Sequence, residues 1–114
     1  MTPETKAVLL ERVGGDVELL REIVALFADD APLQVAAIRK AIQAGDGTAL
    51  AEAAHSLKGS AANFEAGAAA DLGLRLERLG RAGTLEGAAG LCDALEKATE
   101  DLQARLSRLC DELT

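Results

Sequence analysis

Aromatic residues are nearly absent. Two phenylalanines stand among 114 residues, with no tryptophan and no tyrosine. A core must therefore come from aliphatic side chains, mostly leucine and alanine, and these favour closely packed helices over a sheet sandwich. Proline is scarce too, since only Pro3 and Pro32 could interrupt a helix by ring geometry. No apolar run reaches the ~20 residues of a membrane span, and the first residues lack the pattern of a secretion signal. Basic residues number 12 against 19 acidic ones, for a net charge of −7. That balance argues against nucleic acid and against anionic membrane surfaces as partners. A cytoplasmic, all-α protein is the expectation.

Metal-ligating residues are equally sparse. One histidine, two cysteines and no CxxC pair argue against a zinc site, and no metal site is predicted. Cys92 and Cys110 fall in one predicted helix, roughly 27 Å apart at ~1.5 Å per residue, too far to bond to each other. They read as inert buried thiols.

What the chain does have is helical periodicity broken by glycine. "VGGD" at 13–16, "AGDG" at 44–47, "EAGA" at 65–68 and "RAGT" at 81–84 mark helix ends. They divide one domain, residues 1–114, into helices at about 3–13, 16–44, 47–65, 67–82 and 85–113. Thr2 is a candidate N-cap with Pro3 in the first turn. In the second segment Leu19, Ile23, Leu26 and Phe27, then Val35, Ile38 and Ile42, form the apolar face. Pro32 removes the bond to the carbonyl of Ala28, which favours one bent helix there, with two helices split at Pro32 as the alternative. The fourth segment carries Leu72, Leu76 and Leu79. The fifth carries Leu91, Leu95, Ala98, Leu102, Leu106, Leu109 and Leu113 over six turns. The fold class is an antiparallel up-down four-helix bundle with a short additional N-terminal helix.

The single histidine, His55, lies in the third segment. Leu50, Ala54, Leu57, Ala61 and Phe64 make its buried stripe, and His55 sits roughly 140° from the centre of that stripe at ~100° per residue. The imidazole should face solvent. Its helical neighbours are Ala51, Glu52, Lys58, Gly59 and Ala62, a shallow shelf with a cation one turn away. Gly59 inside a helix costs ~1 kcal/mol relative to alanine, which a close approach by another molecule beside the ring would justify. An exposed imidazole, a lysine and a cleared approach suit a nucleophile that receives a phosphoryl group; an ordinary surface histidine beside a surface lysine accounts for the same residues.

"AHSLKGSAANF" resembles the signature of histidine-containing phosphotransfer domains, in which the phospho-accepting histidine is followed by x-x-Lys-Gly and small residues. "LLERVGGDVELLREIVALF" resembles the helices that precede the histidine helix in such domains attached to bacterial hybrid sensor kinases, and "DLGLRLERLGRAGTLEGA" the helix and turn that follow it. The likeness spans about residues 5–110. It implies that His55 is the phospho-acceptor, that Lys58 steadies the phosphoryl oxygens, and that Gly59 admits the partner's loops. It also places Glu77 where some relatives have a polar group near the histidine. Asn63-Phe64-Glu65-Ala66 departs from the family's Asn-x-Gly-Ala pattern, which shifts the expected turn to Gly67.

The implied partners are receiver domains of response regulators or of a hybrid histidine kinase, one donating a phosphoryl group and another accepting it. The implied docking face is Gly59, Ala51 and Ala62 with apolar residues of the neighbouring helix, Leu74 among them. Mg²⁺ is expected on the receiver and no cofactor on this chain. With no Gly-rich phosphate-binding loop, the domain is expected to carry phosphate as a monomer without autokinase activity. Two rival readings are a helical interaction bundle that binds a signalling partner without accepting phosphate, and a structural or dimerisation domain built on the leucine-rich last helix.

Overall fold

In the computed structural model, residues 3–64 and 67–113 are described, with side chains from Lys6 onward. They form five helices: α1 (Pro3–Arg12), α2 (Val17–Ala44), α3 (Gly47–Ala62), α4 (Gly67–Ala82) and α5 (Ala88–Glu112). No strand occurs among the described residues. The candidate cap Thr2, and Glu65 where the third helix was predicted to end, lie outside them.

The helix boundaries have local causes. The Asp16 carboxylate accepts from the Leu19 amide at 3.1 Å and Asp46 accepts from Ala49 at 3.0 Å, so α2 and α3 each start on a satisfied cap. α2 ends at Gly45, whose φ of 66° is a left-handed conformation that glycine adopts without steric cost. It runs unbroken through Pro32. The last helix begins at Ala88 rather than at residue 85, because Gly87 at φ 80° precedes it and cannot be helical. α3 ends at Ala62, before the turn at Asn63 and Phe64.

α3 packs on α2 and α4, and α5 packs on the same two helices, so four helices close a ring while α1 rests against α2. Contacts fix the directions. Arg21, early in α2, donates to the Cys110 carbonyl at the end of α5, while Arg39, late in α2, pairs with Asp93 at 3.0 Å near the start of α5. α2 and α5 are therefore antiparallel. Phe27 and Phe64 meet edge to face with centroids 5.3 Å apart, joining the first half of α2 to the end of α3. Both aromatic rings of the chain are spent on this one contact.

The stripe of α3 matches the periodicity and that of α5 does so in part, with Leu91, Ala98 and Leu113 half-buried and Cys92 and Thr99 buried beside them. Leu50, Ala54, Leu57, Ala61 and Phe64 are buried, as are Leu95, Leu102, Leu106 and Leu109. Each fully withdrawn leucine contributes about 1.5–3 kcal/mol of apolar transfer. α2 differs. Its inner face is Leu20, Phe27, Ala31, Val35, Ile38 and Ala41, whereas Leu19 and Leu26 face outward, Leu26 with 61% of its surface exposed. Residues 19, 20, 26 and 27 all fit one broad stripe, and the positions of α3 and α5 decide which half of it is covered. Cys92 is buried and Cys110 half-buried; both remain thiols, pushed up from the ordinary value by burial.

α3 and α4 approach most closely. A Cβ at Gly80 would lie 2.5 Å from the Gly47 carbonyl oxygen and 2.7 Å from the Ala51 amide nitrogen; one at Gly73 would lie 3.1 Å from Lys58 Cβ. Backbone therefore meets backbone at Gly80, and no flexible side chain is there to yield. Gly80→Ala should lower unfolding free energy by about 1–3 kcal/mol in urea denaturation, an overpacking cost. Gly59→Ala, where an added Cβ meets nothing within 4 Å, should raise it by up to ~1 kcal/mol.

Candidate functional site

His55 stands on the outer face of α3, its side chain 62% exposed, as the periodicity predicts. It is not alone. Glu77 projects from α4 beneath the ring with only 7% of its side chain exposed, and three donors converge on its carboxylate. Lys58 Nζ lies 2.7 Å from Oε1. Arg81 gives Nη2 at 2.7 Å and Nε at 3.1 Å to Oε2. His55 Nδ1 is 3.2 Å from the same Oε2.

Helix geometry explains the convergence. His55 and Lys58 are three residues apart on α3, Glu77 and Arg81 four apart on α4, so each pair shares one helix face. Gly73 and Gly80 flank Glu77 by one turn on either side and bring α4 close enough for its carboxylate to reach under α3. A buried carboxylate is tolerated only when paired and hydrogen-bonded, and this one is. The bond from Lys58, then those from Arg81, hold the Glu77 carboxyl well below its ordinary value of 4.5, at about 2, against the opposing effect of burial. It is thus ionised throughout the neutral range and can only accept. Nδ1 of His55 must then donate to it, and the neutral ring presents Nε2 with its lone pair outward.

The predicted docking residues fare differently. Gly59 is exposed beside open space and Ala62 is exposed. Ala51 is largely covered by Gly80 of α4, yet it still borders the recess beside His55. Leu74 is half-buried on α4. The large exposed hydrophobics are instead Leu19, Leu26 and Leu33, spaced by seven along α2. Leu26 borders a groove with Ser60 and Asn63 of the α3 end, one to two turns beyond His55. Arg81 did not enter the sequence reading at all; its signal was the Glu77–Arg81 spacing of four on one helix. An open recess beside the ring is bordered by Thr48, Ala51, Glu52, Ser56, Gly80 and Arg81. Among the described residues no cluster of three or more His, Cys, Asp or Glu side chains could hold a metal ion, and no helix is long and apolar enough to cross a membrane.

An outward imidazole over a buried carboxylate with two basic side chains has the chemistry that nucleophilic attack on phosphate would use. The family described as Hpt domain matches residues 22–112, most of the chain. The chain belongs to this family, the phosphotransfer proteins of two-component signalling, which act as phosphocarriers and interact with receiver domains. The crystal structure of histidine-containing phosphotransfer protein B (HptB) from Pseudomonas aeruginosa PAO1 is similar, with 26% sequence identity and a TM-score of 0.80 over 98% of this chain and 95% of that one. A search of curated proteins finds no match.

The paired carboxylate predicts an acid limit. Because the folded-state value of Glu77 lies below its ordinary value, its stabilisation is fully present above about 4.5 and is lost as pH falls toward about 2. Glu77→Gln should be less stable than the parent at pH 7, with the difference shrinking as pH drops through that window. Chemical denaturation at fixed pH steps reads both curves.

Proposed function

We propose that His55 accepts a phosphoryl group from the phospho-aspartate of one receiver domain and passes it to the aspartate of another. The observation that carries this reading is the Glu77 hydrogen bond, which commits Nδ1 as a donor and leaves Nε2 as the outward nucleophile. Lys58 and Arg81 sit beside the ring on the same carboxylate and supply the positive charge that the phosphoryl oxygens need.

Phosphoryl transfer asks a protein for in-line placement and charge neutralisation more than for covalent help. The division of labour follows. The receiver brings the acidic pocket and its Mg²⁺; this chain brings the nucleophile, two cations and a docking face, with no cofactor of its own. Gly59 and Ala62 leave room for the receiver's loops next to the ring. Leu26 on α2, together with Leu74 as the sequence suggested, is the apolar contribution to that face. In the same reading residues 1–114 form one domain, the helix ring is an antiparallel up-down four-helix bundle, and the protein works in the cytoplasm as a monomer without autokinase activity.

The test is transfer of label. The chain incubated with a phosphorylated receiver domain and Mg²⁺ should take up acid-labile, alkali-stable phosphate, and a His55→Gln variant should take up none. Absence of label across a panel of receivers, with helicity intact by circular dichroism, would leave the binding-only bundle. A bulkier residue at the shelf separates docking from folding. Gly59→Leu should keep the helical spectrum and slow transfer on the order of tenfold, equivalent to ~1.4 kcal/mol of lost complementarity.

A further inference from the structure

We propose that Glu77 is a positioning residue for departure of the phosphoryl group: it keeps a proton on Nδ1 of His55 while Nε2 carries the phosphoryl, so that the ring always leaves as neutral imidazole. The inference rests on His55 being the acceptor and concerns what happens afterwards.

Electron bookkeeping shows why the proton matters. On loading, the Nε2 lone pair forms a bond to phosphorus and the phosphorus–oxygen bond to the donor aspartate breaks, its electron pair leaving with the carboxylate. The ring, now substituted at Nε2 and protonated at Nδ1, carries a positive charge. On unloading, the acceptor carboxylate forms its bond to phosphorus, the nitrogen–phosphorus bond breaks, and the pair returns to Nε2 to give neutral imidazole with Nδ1–H. No proton moves at either step. If the loaded ring lost its Nδ1 proton, unloading would expel an imidazolide anion, a far poorer leaving group.

The surroundings of the ring assign the task to Glu77. The charged groups near His55 are Glu52 and Lys58 on α3 with Glu77 and Arg81 on α4, and α2 adds no residue to the recess. Glu52 is exposed to solvent. Lys58 and Arg81 bond the carboxylate, and Glu77 is hydrogen-bonded to Nδ1 itself. Two cations on the carboxylate also stop it from swinging away when the ring becomes charged. An opposite charge in direct contact, itself shielded from water although the ring is exposed, favours the protonated ring. The low titration of Glu77 keeps it an acceptor, so it holds the proton without taking it. A glutamine at 77 would accept the same hydrogen bond with no charge behind it.

The experiment compares onward transfer by the parent, Glu77→Gln and Glu77→Asp, each loaded with labelled phosphate and mixed with one receiver and Mg²⁺ between pH 6 and about 9. Using the same receiver makes its own titration common to all three. The ratio of parent to Glu77→Gln rates should grow with pH, on the order of tenfold for each unit by which the carboxylate strengthens the ring's hold on its proton, and Glu77→Asp should fall between them. Nitrogen-15 NMR of the loaded proteins should show Nδ1 staying protonated to higher pH in the parent than in Glu77→Gln. Parallel rate profiles, or the same Nδ1 midpoint in both proteins, overturn the inference while leaving His55 as carrier. A parent that takes no label on His55 overturns both. Glutamine has one oxygen where the carboxylate offers two, to Nδ1 and to Lys58, so circular dichroism checks that each variant is folded.

Discussion

Everything at the site depends on how closely α4 lies against α3. With Gly80 against the backbone of Gly47 and Ala51, and Gly73 against Lys58, the two helices approach without intervening side chains. Residues between the two glycines on that face of α4 must then point into α3 or past its edge. Leu76 goes into the core and Glu77 goes to the edge. A bulkier helix interface would lift the carboxylate away from the imidazole and remove the reason for the ring to choose one tautomer. Packing and chemistry here are one constraint.

The carboxylate in turn organises its neighbours. A buried negative charge left without partners is strongly destabilising, so folding itself enforces the presence of Lys58 and Arg81 next to the histidine. The two cations have a structural task of their own, the pairing of Glu77. Each guanidinium or ammonium group has more donors than the carboxylate uses, which lets the same side chains face an incoming anion without abandoning Glu77. The histidine and Arg81 stay exposed, while the carboxylate between them is shielded from water.

Much of this was legible in the residues, unevenly. The stripe from Leu50 to Phe64 is regular enough to orient His55 without knowledge of any other helix, and glycine turns mark the ends of α2 and α4 because a left-handed backbone selects that residue. Ala51 shows where such reasoning stops: its helical position puts it beside His55, but Gly80 of another helix decides that it is covered. The broad apolar surface of α2 likewise leaves open whether Leu19 or Leu20 turns inward. Arg81 and the weight carried by Glu77 were recoverable in part, from the glycines at 73 and 80 that mark the α3-facing side of α4 and from the four-residue step to an arginine. The depth at which Glu77 lies depends on the distance between two helices, which no spacing within one helix encodes.

The ends of α3 carry a last consequence. Asp46 holds its first turn through the Ala49 amide, and Arg12 of α1 donates to the carbonyls of Ala62 and Asn63 at its other end, at 3.2 and 3.1 Å. Acid at the start and base at the finish also suit the helix dipole. Mechanically α3 is a beam clamped at both supports, with His55 near mid-span where fraying at the ends is felt least. The short outlying helix α1, remote from His55, acts as one of the two clamps that hold the imidazole's place on the bundle.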